Sequence, residues 1–160
     1  MERSESLVAR PLVVGANHRS SSLAMRDRLF VEDADIPGFL NRLRAKGIDN
    51  AVLLSTCDRV EVLALHSDPR IAAASILACF ADLLGGNDFM LESQCYTFVD
   101  NRAVEQIFAV SASLDSQIIG EPQILGQVKV AHRIARENGM VGSELEALMQ
   151  AAYGAAKRVR

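Results

Sequence analysis

The stretch from Ala51 to Leu65 restricts this chain more than any other. Two apolar runs, residues 51–56 (AVLLST) and 60–65 (VEVLAL), stand only three residues apart. Short runs rich in Val and Leu read as buried strands. The spacer Cys57-Asp58-Arg59 leaves room for a tight hairpin and nothing larger. A lone hairpin is marginal in water, so the flanking chain must supply more sheet and a cover. Residues 11–16 (PLVVGA) give a third strand that Gly15 helps to end. Residues 21–30 read as a short helical or irregular piece with a charged face. Asp35 as N-cap and Pro37 near the first turn open a helix that stops at Lys46-Gly47, with Phe39, Leu40 and Leu43 as its apolar stripe. After the hairpin, Asp68-Pro69 starts a helix to Leu84, stopped by Gly85-Gly86, and residues 94–99 (QCYTFV) give a fourth strand. The order β-α-β-β-α-β is that of a ferredoxin-like, α+β split βαβ domain.

Beyond Asp100 the pattern becomes wholly helical, with about three helices expected. Val104, Ile107, Phe108, Ser111 and Leu114 follow helical spacing. Pro122 opens a second helix, with Ile124, Leu125, Val128 and Ala135 inward and Asn138-Gly139 as its stop. Ser143 with Glu146 reads as a capping box for a third. That helix reaches Lys157-Arg158-Val159-Arg160 without a Gly or Pro terminator and is read as continuing in a longer protein.

A length of 160 residues, 49% apolar and 23% charged, suits one domain with a real core and excludes wholesale disorder. Residues 1–10 read as a disordered tail, with four charges and no signal-peptide core. The rest, 11–160, reads as one domain: a sheet core at about 11–100 and a helical part at about 101–160. A net charge of −3 argues against a protein that coats DNA. The charge is uneven: residues 121–160 hold six Lys/Arg against four Glu. This stretch is either a face for RNA phosphate or an ordinary solvated surface. The longest near-apolar run, residues 71–81, falls short of the ~20 residues a membrane span needs. Three widely spaced cysteines, with no CxxC, predict neither a disulfide framework nor a metal site, and suggest a reducing, cytoplasmic setting.

Cys57 is the leading candidate for chemistry. It sits at a hairpin tip, where Arg59 favours a thiolate and Asp58 opposes it. It is either a nucleophile or a small residue filling a turn. Hydroxyls of Ser55 and Thr56 stand beside it. The segment 116–129 (SQIIGEPQILGQVK) is the second candidate, joining two helices with Ser116, Glu121, Gln123 and Gln127 close together. Asn17-His18-Arg19 follows the first strand, where His18 suits a turn or a base. Cys79 and Cys95 read as structural, and His66 and His132 as solvated. No GxGxxG and no GxxxxGK[ST] is present, so a nucleotide cofactor would need another domain.

Four segments together resemble glutamyl-tRNA reductase: Gly15–Arg19, Leu53–Val62, Leu114–Lys129 and Ala155–Arg160. The resemblance implies the N-terminal catalytic domain of that family, without its NADPH-binding and dimerisation domains. It implies that Cys57 is the nucleophile that captures the glutamyl group of glutamyl-tRNA as a thioester. NADPH-dependent reduction then yields glutamate 1-semialdehyde, the first step of five-carbon tetrapyrrole synthesis. It further implies that Thr56 and Arg59 hold the glutamyl group, completed by Ser116, Glu121 and Gln123, with Asn17 and His18 in an accessory role. The implied partners are glutamyl-tRNA, a second copy in the full-length enzyme, and glutamate-1-semialdehyde aminotransferase. Two positions depart from the pattern. Asp58 replaces the usual Asn after the cysteine, and Gln106 stands where the family has an active-site histidine. Glutamine cannot exchange a proton at neutral pH, so a non-catalytic paralogue that binds glutamyl-tRNA or a pathway protein is the alternative.

Overall fold

Four strands form one antiparallel sheet: β1 (Arg10–Asn17), β2 (Asn50–Ser55), β3 (Arg59–His66) and β4 (Tyr96–Val99), in the order β2-β3-β1-β4. The computed structural model describes residues 8–86, 90–114 and 123–159. The hairpin expected from Ala51–Leu65 pairs Leu53 with Val62 and Ser55 with Val60. Strand β1 lies between β3 and β4, so Gly15 faces Glu61 on one side and Tyr96 on the other.

The sheet is covered on both faces, which is why its central strands are apolar with no regular alternation. From Leu12 to Asn17 every residue of β1 is buried, as is every residue of β3 from Arg59 to Leu65. Helices α1 (Leu23–Leu29) and α2 (Ile36–Ala45) follow β1, and α3 (Pro69–Leu83) joins β3 to the later chain. Helices α2 and α3 pack through Phe39 and Phe80, whose ring centroids lie 5.7 Å apart. The Asp68 carboxylate accepts from the N–H groups of Arg70 and Ile71 and so caps α3, as the Asp-Pro pair predicts. A short helix, α4 (Leu91–Gln94), precedes β4.

The remaining helices are α5 (Asn101–Ser111), α6 (Gln123–Glu137) and α7 (Ser143–Val159). Helix α5 packs on β1 and β4, α6 on β2, and α7 on α5 and α6. Fully buried Leu12, Leu40, Leu53, Ile76 and Met140 belong to one continuous core. Burying each such side chain contributes about 1.5–3 kcal/mol.

Three local expectations need correction. Residues 91–94 are helical, so Cys95 precedes β4 instead of starting it. Ser143 is the first residue of α7, and Gly142 before it donates its N–H to Asn50 Oδ1 at 2.7 Å. Glu146 therefore reaches across to α6 and forms no capping box. His132 is 1% exposed, not solvated. Its ring bridges the Tyr153 hydroxyl (2.6 Å) and Glu146 (2.9 Å), and these partners offset the cost of burying it.

Candidate active site

The turn between β2 and β3 is built by Thr56. Its Oγ1 accepts from the backbone N–H groups of Asp58 and Arg59, both at 3.1 Å. Its own N–H donates to the Arg59 carbonyl at 2.8 Å. These bonds close the bend and leave the Cys57 side chain exposed at its tip. Arg26 fastens the bend from outside. Its Nε donates to the Cys57 carbonyl (3.2 Å), and its Nη1 to the carbonyls of Ser21 (2.7 Å) and Asn17 (3.3 Å). Ser55 Oγ accepts from the Val31 N–H at 2.9 Å, tying in the chain after α1.

Cys57 lies on a cleft of about 770 Å³. One wall carries Thr56, Leu53 and Phe30, and the other Gly126, Gln127 and Val130 of α6. The two segments singled out in the sequence, 70 residues apart, thus meet at one cavity. Its size suits a small organic group, and its lining mixes apolar side chains with a few polar ones.

The accessory candidates occupy distinct places. Asn17 is buried, and its Oδ1 accepts from the N–H groups of Arg19 (2.9 Å) and Ser20 (3.1 Å), shaping the loop after β1. His18 Nδ1 stands 3.4 Å from Asp58 Oδ1, which places an imidazole–carboxylate pair next to the cysteine in the chain. Arg59 is fully buried, with Nη1 3.2 Å from Glu61 Oε1. Gln106 is also buried, and its Nε2 donates to Glu61 Oε2 at 2.8 Å. The Tyr96 hydroxyl donates to the same oxygen at 2.5 Å. Arg59 and Gln106 thus converge on one buried carboxylate beneath the hairpin. Ser116 and Glu121 lie outside the described residues, as does the side chain of Gln123.

Burial separates the three thiols. Cys79 is fully buried, and burial pushes its pKa up. Burial drives Cys95 up to about 11. Only Cys57 is exposed, so it alone offers a sulfur accessible to a large substrate. Among the described residues no cluster of three or more His, Cys, Asp or Glu could hold a metal, and no helix is long and apolar enough to cross a membrane.

Arg26 and Glu61 were not singled out by motif. Arg26 lies on a short, otherwise ordinary helix, and no local signal marks it. Glu61 did carry one: a carboxylate inside a strand that is otherwise apolar must be paired.

A family model described as the N-terminal domain of glutamyl-tRNA(Glu) reductase matches residues 14–160. The glutamyl-tRNA reductase of Rhodospirillum rubrum is 47% identical over 149 residues, covering 93% of this chain and 35% of that protein. The glutamyl-tRNA reductase of Syntrophotalea carbinolica is 38% identical over 150 residues, with 93% and 34% covered. The solved structure of the glutamyl-tRNA reductase from Methanopyrus kandleri superposes with a TM-score of 0.73 at 25% identity, covering 94% of this chain and 34% of that one. The chain spans about a third of the length of these relatives.

Proposed function

The chain belongs to the glutamyl-tRNA reductase N-terminal domain family, and on that premise we propose that it captures the glutamyl group of glutamyl-tRNA on Cys57. We read its strand order as ferredoxin-like, which puts the nucleophile on the β2–β3 turn. The exposure of Cys57 on the cleft shared with Gly126 and Gln127 carries this reading.

The Cys57 thiolate adds to the carbonyl carbon of the aminoacyl ester. The bond from that carbon to the ribose oxygen breaks, the oxygen takes a proton, and free tRNA leaves a glutamyl thioester. A thiolate is strongly nucleophilic near neutral pH, and covalent capture divides one hard step into two. Thr56 holds the turn and faces the cleft. Ser116, Glu121 and Gln123 are proposed to hold the glutamyl group. The burial of Arg59 against Glu61 favours an indirect part, in which it braces the hairpin. His18, paired with Asp58, is the proposed proton carrier for the leaving oxygen.

In the intact reductase NADPH supplies the hydride that turns the thioester into glutamate 1-semialdehyde. This chain has no dinucleotide fingerprint, so another part of the intact reductase would hold that cofactor, and what this chain contributes is the thioester on Cys57. The same reading makes the full-length protein a cytoplasmic homodimer at the head of tetrapyrrole synthesis, with glutamate-1-semialdehyde aminotransferase consuming its product.

A second reading, a domain that binds glutamyl-tRNA without turnover, is favoured by Gln106. Its amide is committed to Glu61 and cannot transfer a proton. One experiment separates the two. The chain is incubated with glutamyl-tRNA carrying labelled glutamate, and the acid-stable protein-bound label and free glutamate are followed. Capture predicts both, with water cleaving the thioester slowly, and their loss in Cys57→Ala. Release at the same slow rate from both proteins, with no bound label, refutes the nucleophile; tRNA binding alone then supports the second reading.

A further inference from the structure

A second cavity, of about 440 Å³, lies between α6 and α7. Lys129, His132 and Arg136 line it from α6, at helical spacings of three and four. Gln150, Tyr153 and Lys157 line it from α7 with the same periodicity. Gly154 leaves it open, because a Cβ there would meet nothing nearer than the Arg158 Nη1 at 3.9 Å. No carboxylate lines the cavity. The nearby Glu146 is already engaged by His132, Arg136 and Gln150.

The floor of this groove is built. Buried His132 is held between Tyr153 and Glu146, and Lys129 Nζ sits 5.3 Å from the Tyr153 ring centroid. The rim is cationic and exposed: Lys129 and Lys157 stand on opposite sides, and neither forms an ion pair with another described residue. Two such charges across an open interhelical trough suit a chain of phosphates better than one compact anion.

The groove also has a position relative to the thiol. Helix α6 gives Gly126, Gln127 and Val130 to the Cys57 cleft and Lys129, His132 and Arg136 to the groove. The two cavities are therefore separated by about one helix diameter, on the order of 10 Å. We propose that the α6–α7 groove binds the sugar–phosphate backbone of the substrate RNA close to its aminoacylated end, with Lys129 and Lys157 as its phosphate contacts. The proposal rests on the reading of glutamyl-tRNA as substrate, and it assigns a surface that the cysteine chemistry does not require.

The test uses uncharged tRNA(Glu) transcript titrated into the 160-residue chain over a range of KCl concentrations. Neutralising two phosphate contacts on single-stranded RNA accounts for a slope of about 1.4 in log affinity against log salt. The double variant Lys129→Ala/Lys157→Ala should bind more weakly and lose about that much slope. Lys129→Arg/Lys157→Arg should keep both, which separates lost charge from lost fold. Unchanged affinity and slope in the alanine pair, with wild type binding well, overturn the groove and leave the Cys57 reading standing. Failure of the wild-type chain to bind tRNA overturns the groove, and the protein-bound glutamyl label then decides the Cys57 reading separately. Competition by millimolar inorganic phosphate without any change of slope marks a small-anion site and overturns the RNA assignment.

Discussion

Gly15 and Glu61 face each other across β1 and β3, and the β3 backbone together with the Glu61 methylene occupies the space a side chain at Gly15 would need. A Cβ on Gly15 would stand 2.7 Å from Glu61 Cγ and 2.4 Å from the Val60 carbonyl oxygen. The glycine lets the β3 backbone and the base of the Glu61 side chain pass close to β1, and Arg59, Tyr96 and Gln106 meet the Glu61 carboxylate. Gly15→Ala should therefore cost about 1–3 kcal/mol, as overpacking does. Urea denaturation checks this, and a loss under 0.5 kcal/mol would mean that the strands part without strain.

Glu61 sits 1% exposed among groups that need its charge. Glu61→Ala leaves the Arg59 guanidinium buried without its carboxylate and should cost about 3–5 kcal/mol. Gln106→Ala removes one hydrogen bond to a charged group and should cost less, about 1.5–3 kcal/mol. The comparison is made in denaturant at pH 7. An equal cost for the two would show that the carboxylate is no more than another hydrogen-bond acceptor.

The His132 site predicts an acid response with a definite sign. Burial holds the folded pKa of His132 below its ordinary 6.5, against the pull of Glu146. The unfolded chain then binds more protons than the folded one as pH drops through 6.5, so stability is full above that value and falls below it. Glu146, held below its ordinary 4.5 chiefly by Gln150 and then by His132 and Arg136, adds a further loss at lower pH. Thermal unfolding between pH 7.5 and 5.5 should show a decline that His132→Gln flattens. A parallel decline in the variant would place the effect elsewhere.

The three cysteines should alkylate in sequence. At pH 8, iodoacetamide with peptide mass spectrometry should find Cys57 modified first. At that pH only about one Cys95 thiol in a thousand is ionised if it titrates at about 11. Cys79 should react only on unfolding, since it has no surface. Early labelling of Cys79 would mean that α3 opens far more readily than its packing suggests.

Much of the architecture was legible because it rests on local rules. The apolar runs around Cys57 and the Asp68-Pro69 cap each carry their signal within a few residues. The four strands fall within about two residues of the spans read from pattern. The turn that carries Cys57 was legible for the same reason, although the structure starts β3 at Arg59, so that the bend is Thr56-Cys57-Asp58 with Cys57 at its middle. The fate of His132 was not, because exposure on one helix depends on which face a second helix covers. Its burial was set by α7 laying Tyr153 and Glu146 over it.

The sequence by itself determined the succession of strands and longer helices, the hairpin and the thiol on its turn, since these follow from residue spacing and turn chemistry. Only the tertiary structure decided what that thiol faces. Docking α6 against β2 brought Gly126 and Gln127 to the cleft wall. Crossing α5 over the sheet turned Arg59, Glu61 and Gln106 from three separate polar residues into one buried network. Such contacts join residues tens of positions apart, and the free energy that selects them is the burial of apolar surface and the pairing of buried charge, neither of which any short window of sequence contains.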